Sequence, residues 1–341
     1  MIRRVLALLL TVLSAWPAWA GDVVLNPHHP ERYVVVPGDT LWDIAKRFLR
    51  DPWLWPEIWY VNPQIENPHL IYPGDVLYLT WVNGKPQLRL QRGGGHPTVK
   101  LSPRVRVEPI RRAIPAIPID AIRQFLTRPL VVGEHDLDRA GYIVDSPDEH
   151  LVTGAGDRVY ARGIDPRHGR YDLFEPGDPY VDPATGEILG YAAEYRGTAS
   201  VERFGDPATL RLEHTTREIA IGDRLLPQNL EDVSVTFFPH APARKVAGQI
   251  ISVVDGVTQI GQYQVVVINR GVREGLEPGH VLRVLQAGRT IRDPVAGGKV
   301  TLPDEDAGLL LVFRTFDRVS FGLVMEARRP MHLGDKVVSP E

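Results

Sequence analysis

The side chains that could act as nucleophiles or metal ligands are few and scattered. The chain has no cysteine, which excludes enzyme classes that attack through a thiolate. Its eleven histidines do not fall at the spacing of a zinc site, and the tight pair His28 and His29 lies in a Pro-flanked N-terminal segment without a rigid scaffold. Serines such as Ser200, Ser252 and Ser320 do not occur in a G-x-S-x-G motif. We predict no catalytic residue, no metal site and no cofactor.

Carboxylates are the remaining source of catalysis. A glycosidase needs a protonated and an ionised carboxylate, or a single acid, in a cleft, and the forty-two acidic residues leave such a pair possible. The helical domain that usually carries lytic transglycosylase activity has no room in a chain with so few helical patterns. We therefore expect a protein that binds rather than one that catalyses.

Aromatic residues offer a chemistry of binding, because sugars stack on aromatic faces. Trp42, Trp53, Trp55, Trp59 and Tyr60 all occur within one short stretch. Trp42 and Trp59 fall within predicted helices and are assigned to the core. Trp53 and Trp55 flank a leucine, so at most one of them points inward. The other is a candidate for contact with a ligand or for docking onto the rest of the chain.

Around these aromatic residues, the stretch from Tyr33 to Thr80 has the elements of a complete small domain. Val34 to Val36 suit a short strand, and Pro37-Gly38 is turn chemistry. Thr40 stands three residues before Asp43, the spacing of a capping box at a helix start. The helix that follows has one apolar face, formed by Leu41, Ile44, Ala45, Phe48 and Leu49.

A second helix and a second strand complete this domain. The helix is predicted to start between Trp53 and Pro56, because proline is tolerated in a first turn, and to end at Asn62-Pro63. An alternating strand follows from Val76 to Leu79. The predicted order is strand, helix, helix, strand.

The segments PGDTLWDIAKRF, NPQI, NPHLIYPGD and VLYL occur here in the order and spacing of the lysin motif, and residues 33–80 closely resemble a LysM domain. The resemblance implies a βααβ module that binds N-acetylglucosamine-containing glycans, above all peptidoglycan. The implied groove lies between the first strand-helix loop and the loop after the second helix. Its residues would be Gly38, Asp39, Thr40 and Leu41 on one side and Ile65, Asn67, Leu70 and Ile71 on the other. DPWLWPEI replaces the usual short polar link into the second helix.

The first twenty residues have the features of an export signal. Arg3 and Arg4 precede an apolar run from Val5 to Leu13, and Ala18-Trp19-Ala20 has the form of a signal-peptidase site. The apolar run is shorter than the ~20 residues that a membrane span needs. We expect cleavage after Ala20, a short tail over residues 21–32, no transmembrane segment in the mature chain, and a periplasmic location.

Residues 81–118 are predicted to be a basic linker rich in proline and glycine. Eight basic residues stand against the single acid Glu108, and Gly93-Gly94-Gly95 interrupts the stretch. This run is either a solvated tether or a contact for an anionic polymer such as the acidic peptide stems of the cell wall. The formal net charge of −3 over 341 residues does not favour nucleic acid as a partner.

From Ile119 onward a short helix (Ala121 to Leu126) leads into short β-branched runs separated by turn signals. We predict two β-rich domains, residues 119–238 and 239–341. A Gly-Asp turn recurs before strands, at Gly156-Asp157, Gly222-Asp223 and Gly334-Asp335, with Gly279-His280 as a variant. Because no paired helices precede these turns, we interpret them as turn chemistry and not as further LysM copies.

The predicted fold class is an α+β LysM module followed by mainly antiparallel β domains, as small barrels or sandwiches. The predicted function is non-catalytic binding of peptidoglycan glycan strands through a single LysM domain that anchors the β-rich region. Two alternatives stay open. One is an auxiliary or catalytic part in peptidoglycan hydrolysis, and the other is a scaffold whose β-rich half binds an envelope protein.

Overall fold

The structure is a computed structural model that describes residues 23–59, 71–91, 113–126, 131–133, 136, 139–147, 152–228, 237–254 and 259–340. In these ranges, no helix combines the length and apolar character that crossing a membrane requires. The described residues form an N-terminal module of helices and strands, a seven-stranded sheet and a closed barrel.

The N-terminal module has the predicted order of strand, helix, helix and strand. Its elements are β1 (Arg32–Val34), α1 (Leu41–Phe48), α2 (Trp55–Trp59), β2 (Val76–Val82) and a further strand, β3 (Lys85–Gln91). The three strands form an antiparallel sheet in the order β1-β2-β3. A 3-10 turn over Pro52–Leu54 leads into α2, so the DPWLWPEI segment is helical rather than extended.

Helix α1 begins where the capping box predicted. The Thr40 hydroxyl accepts a hydrogen bond from the Asp43 amide (3.1 Å) and donates one to the Asp43 carboxylate (2.7 Å). The apolar face buries Leu41, Ile44, Ala45 and Phe48 completely. The cap and the apolar periodicity are therefore confirmed.

The predicted linker over residues 81–118 is wrong at both of its ends. Strand β3 pairs with β2 through an Asn83-Gly84 turn in which both residues have positive φ, the geometry that twists a two-residue hairpin correctly. Residues 113–118 are also ordered, because Ile114 and Ile117 are buried against the N-terminal module. Asn83-Gly84 is the local signal for this hairpin, and the overall composition of the segment does not reveal it. Residues 92–112 lie outside the described part of the chain.

The middle of the chain is a helix followed by one large antiparallel sheet. The elements are α3 (Ile119–Leu126), β4 (Val131–Val132), β5 (Gly141–Asp145), β6 (Val152–Thr153), β7 (Arg158–Arg162), β8 (Arg170–Val181), β9 (Ile188–Arg203), β10 (Ala208–Thr215), β11 (Ile219–Ala220) and β12 (Arg224–Pro227). The strand order is β10-β7-β5-β12-β8-β9-β4, and β10 also pairs with β9. This second pairing closes the sheet into a ring, while β6 and β11 form a separate pair.

The C-terminal part is a closed barrel. Its strands and their appended hairpin are β13 (Ala247–Val253), β14 (Val265–Ile268), β15 (Val281–Gln286), β16 (Thr290–Arg292), β17 (Lys299–Thr301), β18 (Glu305–Thr315), β19 (Ser320–Ala327) and β20 (Lys336–Val338). The barrel order is β13-β14-β19-β18-β15-β20, and β16 and β17 form a separate two-stranded sheet. The prediction of mainly antiparallel β structure with small barrels is confirmed.

Three strands of the barrel are buried on both faces, which explains their unbroken apolar sequences. In β14, Val266 and Ile268 point into the barrel, while Val265 and Val267 belong to a second cluster on its outer surface. The same alternation separates Leu310 from Leu311 in β18 and Val324 from Leu323 in β19. The outer cluster also contains the buried residues of α1, α2 and α3, so the N-terminal module and the barrel share one hydrophobic core.

The Gly-Asp turns have one common geometry. In each, a glycine with φ between +88° and +97° precedes an aspartate whose carboxylate accepts the backbone N–H three residues earlier, at 2.8–3.0 Å. The turns run over Val36–Asp39, Tyr72–Asp75, Gly154–Asp157, Ala220–Asp223 and His332–Asp335. The interpretation as turn chemistry is confirmed, and it extends to Gly38-Asp39 inside the N-terminal module.

Candidate functional site

The loop between β1 and α1 supplies the first side of the predicted groove. Gly38 is exposed at the tip of this loop, with φ +94° and no atom within 4 Å of the position that a Cβ would occupy. Asp39 is only 8% exposed, and its Oδ2 accepts hydrogen bonds from the Val36 amide (2.9 Å) and the Tyr33 hydroxyl (2.9 Å). Asp39 therefore shapes the loop, and Gly38 presents an open backbone to solvent.

The start of α1 supplies backbone donors rather than side chains. Thr40 and Leu41 are 5% and 0% exposed, and the Thr40 hydroxyl is used by the cap. The cap satisfies the Asp43 amide only, which leaves the amides of Leu41 and Trp42 to find other acceptors. The polar groups at this side of the groove are therefore two backbone N–H groups, and both donate to carbonyls within the chain.

The opposite side is represented by Ile71. Ile65, Asn67 and Leu70 lie outside the described residues. The side chain of Ile71 is fully buried, and its backbone carbonyl faces residues 113–117, accepting the Ile114 amide at 2.9 Å.

We name residues 113–117 the strap, because they run between the two sides of the groove. The Leu41 amide donates to the Pro115 carbonyl (3.0 Å), and the Trp42 amide donates to the Ala116 carbonyl (3.1 Å). Sequence reasoning missed the strap, which lies within the predicted linker. The signal that could have found it is the apolar run Ala113-Ile-Pro-Ala-Ile117 directly after the basic pair Arg111 and Arg112.

The helical tryptophans Trp42 and Trp59 are buried as predicted, at 1% and 2% exposed, and the two that flank Leu54 differ from each other. Trp55 is fully buried, with its ring 6.2 Å from that of Trp59 and 6.2 Å from that of Phe238 near the barrel. It cannot stack on a sugar in this arrangement, because α2 turns it into the shared core. Trp53 is half-buried against the same core, whereas Trp81 at the β2–β3 turn is 62% exposed. Sequence reasoning did not single out Trp81.

Polar contacts also join the module to the barrel. The Tyr263 hydroxyl donates to Asp43 Oδ1 (3.2 Å), and the Lys46 ammonium lies 3.3 Å from the Glu326 carboxylate. Tyr263 has φ +65°, a conformation that is uncommon for a residue with a side chain. Burial and the neighbouring Asp43 raise the pKa of its hydroxyl, which therefore stays neutral and donates. One face of α1 is thus fixed against the barrel.

The fold brings together a cluster that spacing did not predict: His240, Glu277 and His280, whose ligand atoms lie within 4.8 Å of one another. The Glu277 amide donates to His280 Nδ1 (3.0 Å), and Gly279 has φ +102°. His280 thus replaces the aspartate of a Gly-Asp turn. Because its Nδ1 accepts a hydrogen bond, the neutral ring carries its proton on Nε2 and offers no lone pair to a metal. Burial and the adjacent His240 lower the pKa of His280 to about 4.

Comparison with known proteins fits the geometry of the N-terminal module. Residues 33–80 match the LysM domain family. The chain is also similar to the uncharacterized protein YqbP of Bacillus subtilis, with 41% identity over 58 residues, 14% of this chain and 26% of that protein. The similarity thus spans about a quarter of that relative. On these grounds, with the order of strands and helices described above, residues 33–80 are a LysM domain, the kind of module that binds peptidoglycan- or chitin-type glycans.

Proposed function

We propose that this chain is a non-catalytic peptidoglycan-binding protein of the cell envelope, and that its single LysM domain holds the β-rich region at the wall. The observation that carries the proposal is the LysM match over residues 33–80, which implies glycan binding. A periplasmic location is supported by the signal-like features of residues 1–20, with cleavage expected after Ala20.

The face that we assign to the glycan is the one around Gly38. An acetamido group offers one carbonyl and one N–H. The backbone groups of matching kind on this face are the amides of Leu41 and Trp42 and the carbonyl of Ile71, and all three are hydrogen-bonded to the strap. Gly38 lets a sugar approach the backbone closely, since nothing occupies the space beside its Cα. One shallow module without repeats implies modest affinity, because avidity requires several sites.

The test is co-sedimentation of the full chain with purified sacculi, using two matched glycine variants. Gly38 and Gly156 both have φ +94°, both precede an aspartate, and both have open space around them, but Gly156 lies in the turn before β7, outside the LysM domain. Gly38→Ala and Gly156→Ala should each lose about 1–2 kcal/mol of stability through backbone strain. Only Gly38→Ala should weaken binding, by about fivefold, the equivalent of one hydrogen bond.

Equal binding by the two variants would remove Gly38 from the site. Absence of wild-type protein from the pellet at all concentrations would refute the proposed function. Turbidity of the same sacculi should stay constant, since the proposal assigns no hydrolysis, and clearing would refute its non-catalytic part.

A further inference from the structure

The strap lies on the face that we assign to the glycan. Three backbone hydrogen bonds hold it there: its carbonyls at Pro115 and Ala116 accept from Leu41 and Trp42, and its amide at Ile114 donates to Ile71, all within 2.9–3.1 Å. These bonds engage both sides of the groove at once. A ligand that used the same three groups could not bind while the strap is in place.

The strap and an N-acetylated sugar offer the same functional group. The acetamido substituent of N-acetylglucosamine is a secondary amide, and so is each backbone peptide group, with one carbonyl acceptor and one N–H donor. The first-turn amides of α1 have no acceptor within the helix. The carbonyl of an acetamido group is an acceptor of the same kind for them as the carbonyls of the strap.

The attachment of the strap extends beyond hydrogen bonds. Ile114, Ala116 and Ile117 are 5%, 5% and 0% exposed, and they belong to the core that the LysM domain shares with the barrel. Within residues 113–117, only Pro115 is exposed. The strap is therefore a packed segment of the fold.

We propose that the strap is a built-in competitor of the glycan, so that the intact chain alternates between a closed LysM face occupied by residues 113–117 and an open face that binds N-acetylated sugar. This inference rests on the proposed function and adds its regulation. The affinity measured for the intact chain is then the affinity of the open face reduced by the fraction of molecules in which the strap has left. Anything that favours release of the strap raises glycan binding.

The test compares binding of a hexamer of N-acetylglucosamine by calorimetry to the full chain, to one strap variant and to a matched control. Ile114→Asp places a charge where the strap is buried and should favour the open face. Ile291→Asp makes the same substitution at an exposed position of β16, outside the strap and the LysM domain, so it is the matched control. The proposal expects at least a tenfold rise in affinity for Ile114→Asp and no change for Ile291→Asp.

The outcomes separate the two proposals. Equal affinity of wild type and Ile114→Asp overturns the competition and leaves glycan binding intact. Tighter binding by the wild type means that the strap is part of the site, which also overturns the competition. Binding by neither protein refutes the proposed function together with this inference.

A measurement on the unmodified chain covers the case in which Ile114→Asp fails to fold. Hydrogen exchange of the segment 113–117 should accelerate at least tenfold when the hexamer saturates the protein, because Ile114 then loses its acceptor. The amides of Leu41 and Trp42 should stay protected, since the sugar replaces the strap carbonyls. Slower or unchanged exchange of the strap on saturation overturns the proposal. The amide of Val267, inside the barrel sheet, serves as the reference that does not change.

Discussion

A glycine followed by an acceptor side chain forms the same tight turn at several loops of this chain. The glycine adopts a positive φ and the aspartate accepts the amide three residues earlier, in the LysM domain and in both β regions alike. Asp39, which the family resemblance places in the glycan groove, makes this turn bond. Its first role is to fix the loop that carries Gly38.

Trp55 and Trp81 form a natural pair for testing which tryptophan supports the fold. Trp55 is 0% exposed and Trp81 is 62% exposed. Trp55→Ala should lower the free energy of unfolding by about 3–5 kcal/mol through the cavity that it leaves. Trp81→Ala should change it by about 0.5 kcal/mol or less. Urea denaturation followed by circular dichroism provides the measurement.

The opposite pattern would mean that Trp55 is a surface residue in solution. A variant Trp55→Phe, which keeps an aromatic ring in the core, should recover part of the loss.

At the level of single residues, the sequence predicted roles well where the role is local. The Thr40 cap and the glycine turns depend on neighbours within three positions, and both are confirmed. The burial of Trp55 depends on Phe238, far along the chain, and no local pattern contains that information. Ile65, Asn67 and Leu70 stay predictions.

Among the elements, the turn before β15 has a titratable group at its acceptor position. His280 accepts the Glu277 amide and lies beside His240, with ring centroids 4.6 Å apart. Its pKa is about 4 in the folded protein, below its ordinary value of 6.5. Between these two values the unfolded chain binds a proton that the folded chain does not. Stability should therefore fall as the pH drops from about 6.5 to about 4, and the loss is complete below that range.

The magnitude should be about 2 kcal/mol, less than the full shift would give, because water near the exposed His240 screens the charge. His280→Asn keeps an acceptor for the Glu277 amide and cannot titrate. The variant protein should therefore lack the loss of stability that His280 causes between pH 6.5 and pH 4. Urea midpoints at several pH values measure the difference. Parallel curves for wild type and variant would contradict the assignment.

Strand prediction succeeded for isolated segments and failed for their connections. The β-branched runs Val281–Gln286 and Ser320–Ala327 are each one strand. The long strand β9 is harder to recognise as one strand, since Gly197 and neighbouring small residues interrupt the alternation. Alternation along one strand does not encode which elements lie next to each other. It therefore predicts neither the ring closure between β9 and β10 nor the shared outer face of the barrel.

At the scale of the whole molecule, the LysM domain is docked and not tethered. Its helices share a core with β14, β18 and β19, and the contacts of Asp43 and Lys46 fix the same face. The sequence suggested a flexible linker because residues 81–118 are rich in proline, glycine and basic residues. Composition does not show that the last residues of this segment, the strap, pack into the core between the LysM domain and the barrel.

Docking predicts a single unfolding transition. All seven tryptophans precede residue 82, so fluorescence reports the N-terminal part, while circular dichroism is dominated by the β regions. The two signals should give the same midpoint in urea. Leu311→Ala, on the outer face of the barrel, should separate them. Leu310→Ala, one position away inside the barrel, should shift both together. Two midpoints in the wild type would show that the domains unfold independently.

The shared core has a practical consequence for dividing this protein. A chain that started at Ile119 would lack the residues of α1, α2 and the strap that belong to the shared core, and it would expose to water the apolar barrel residues that these elements cover. Apolar patches of that kind drive self-association. The boundary that composition suggests between the glycan-binding and β-rich parts therefore runs through a hydrophobic core. Single substitutions, rather than truncations, are needed to separate the contributions of the two parts.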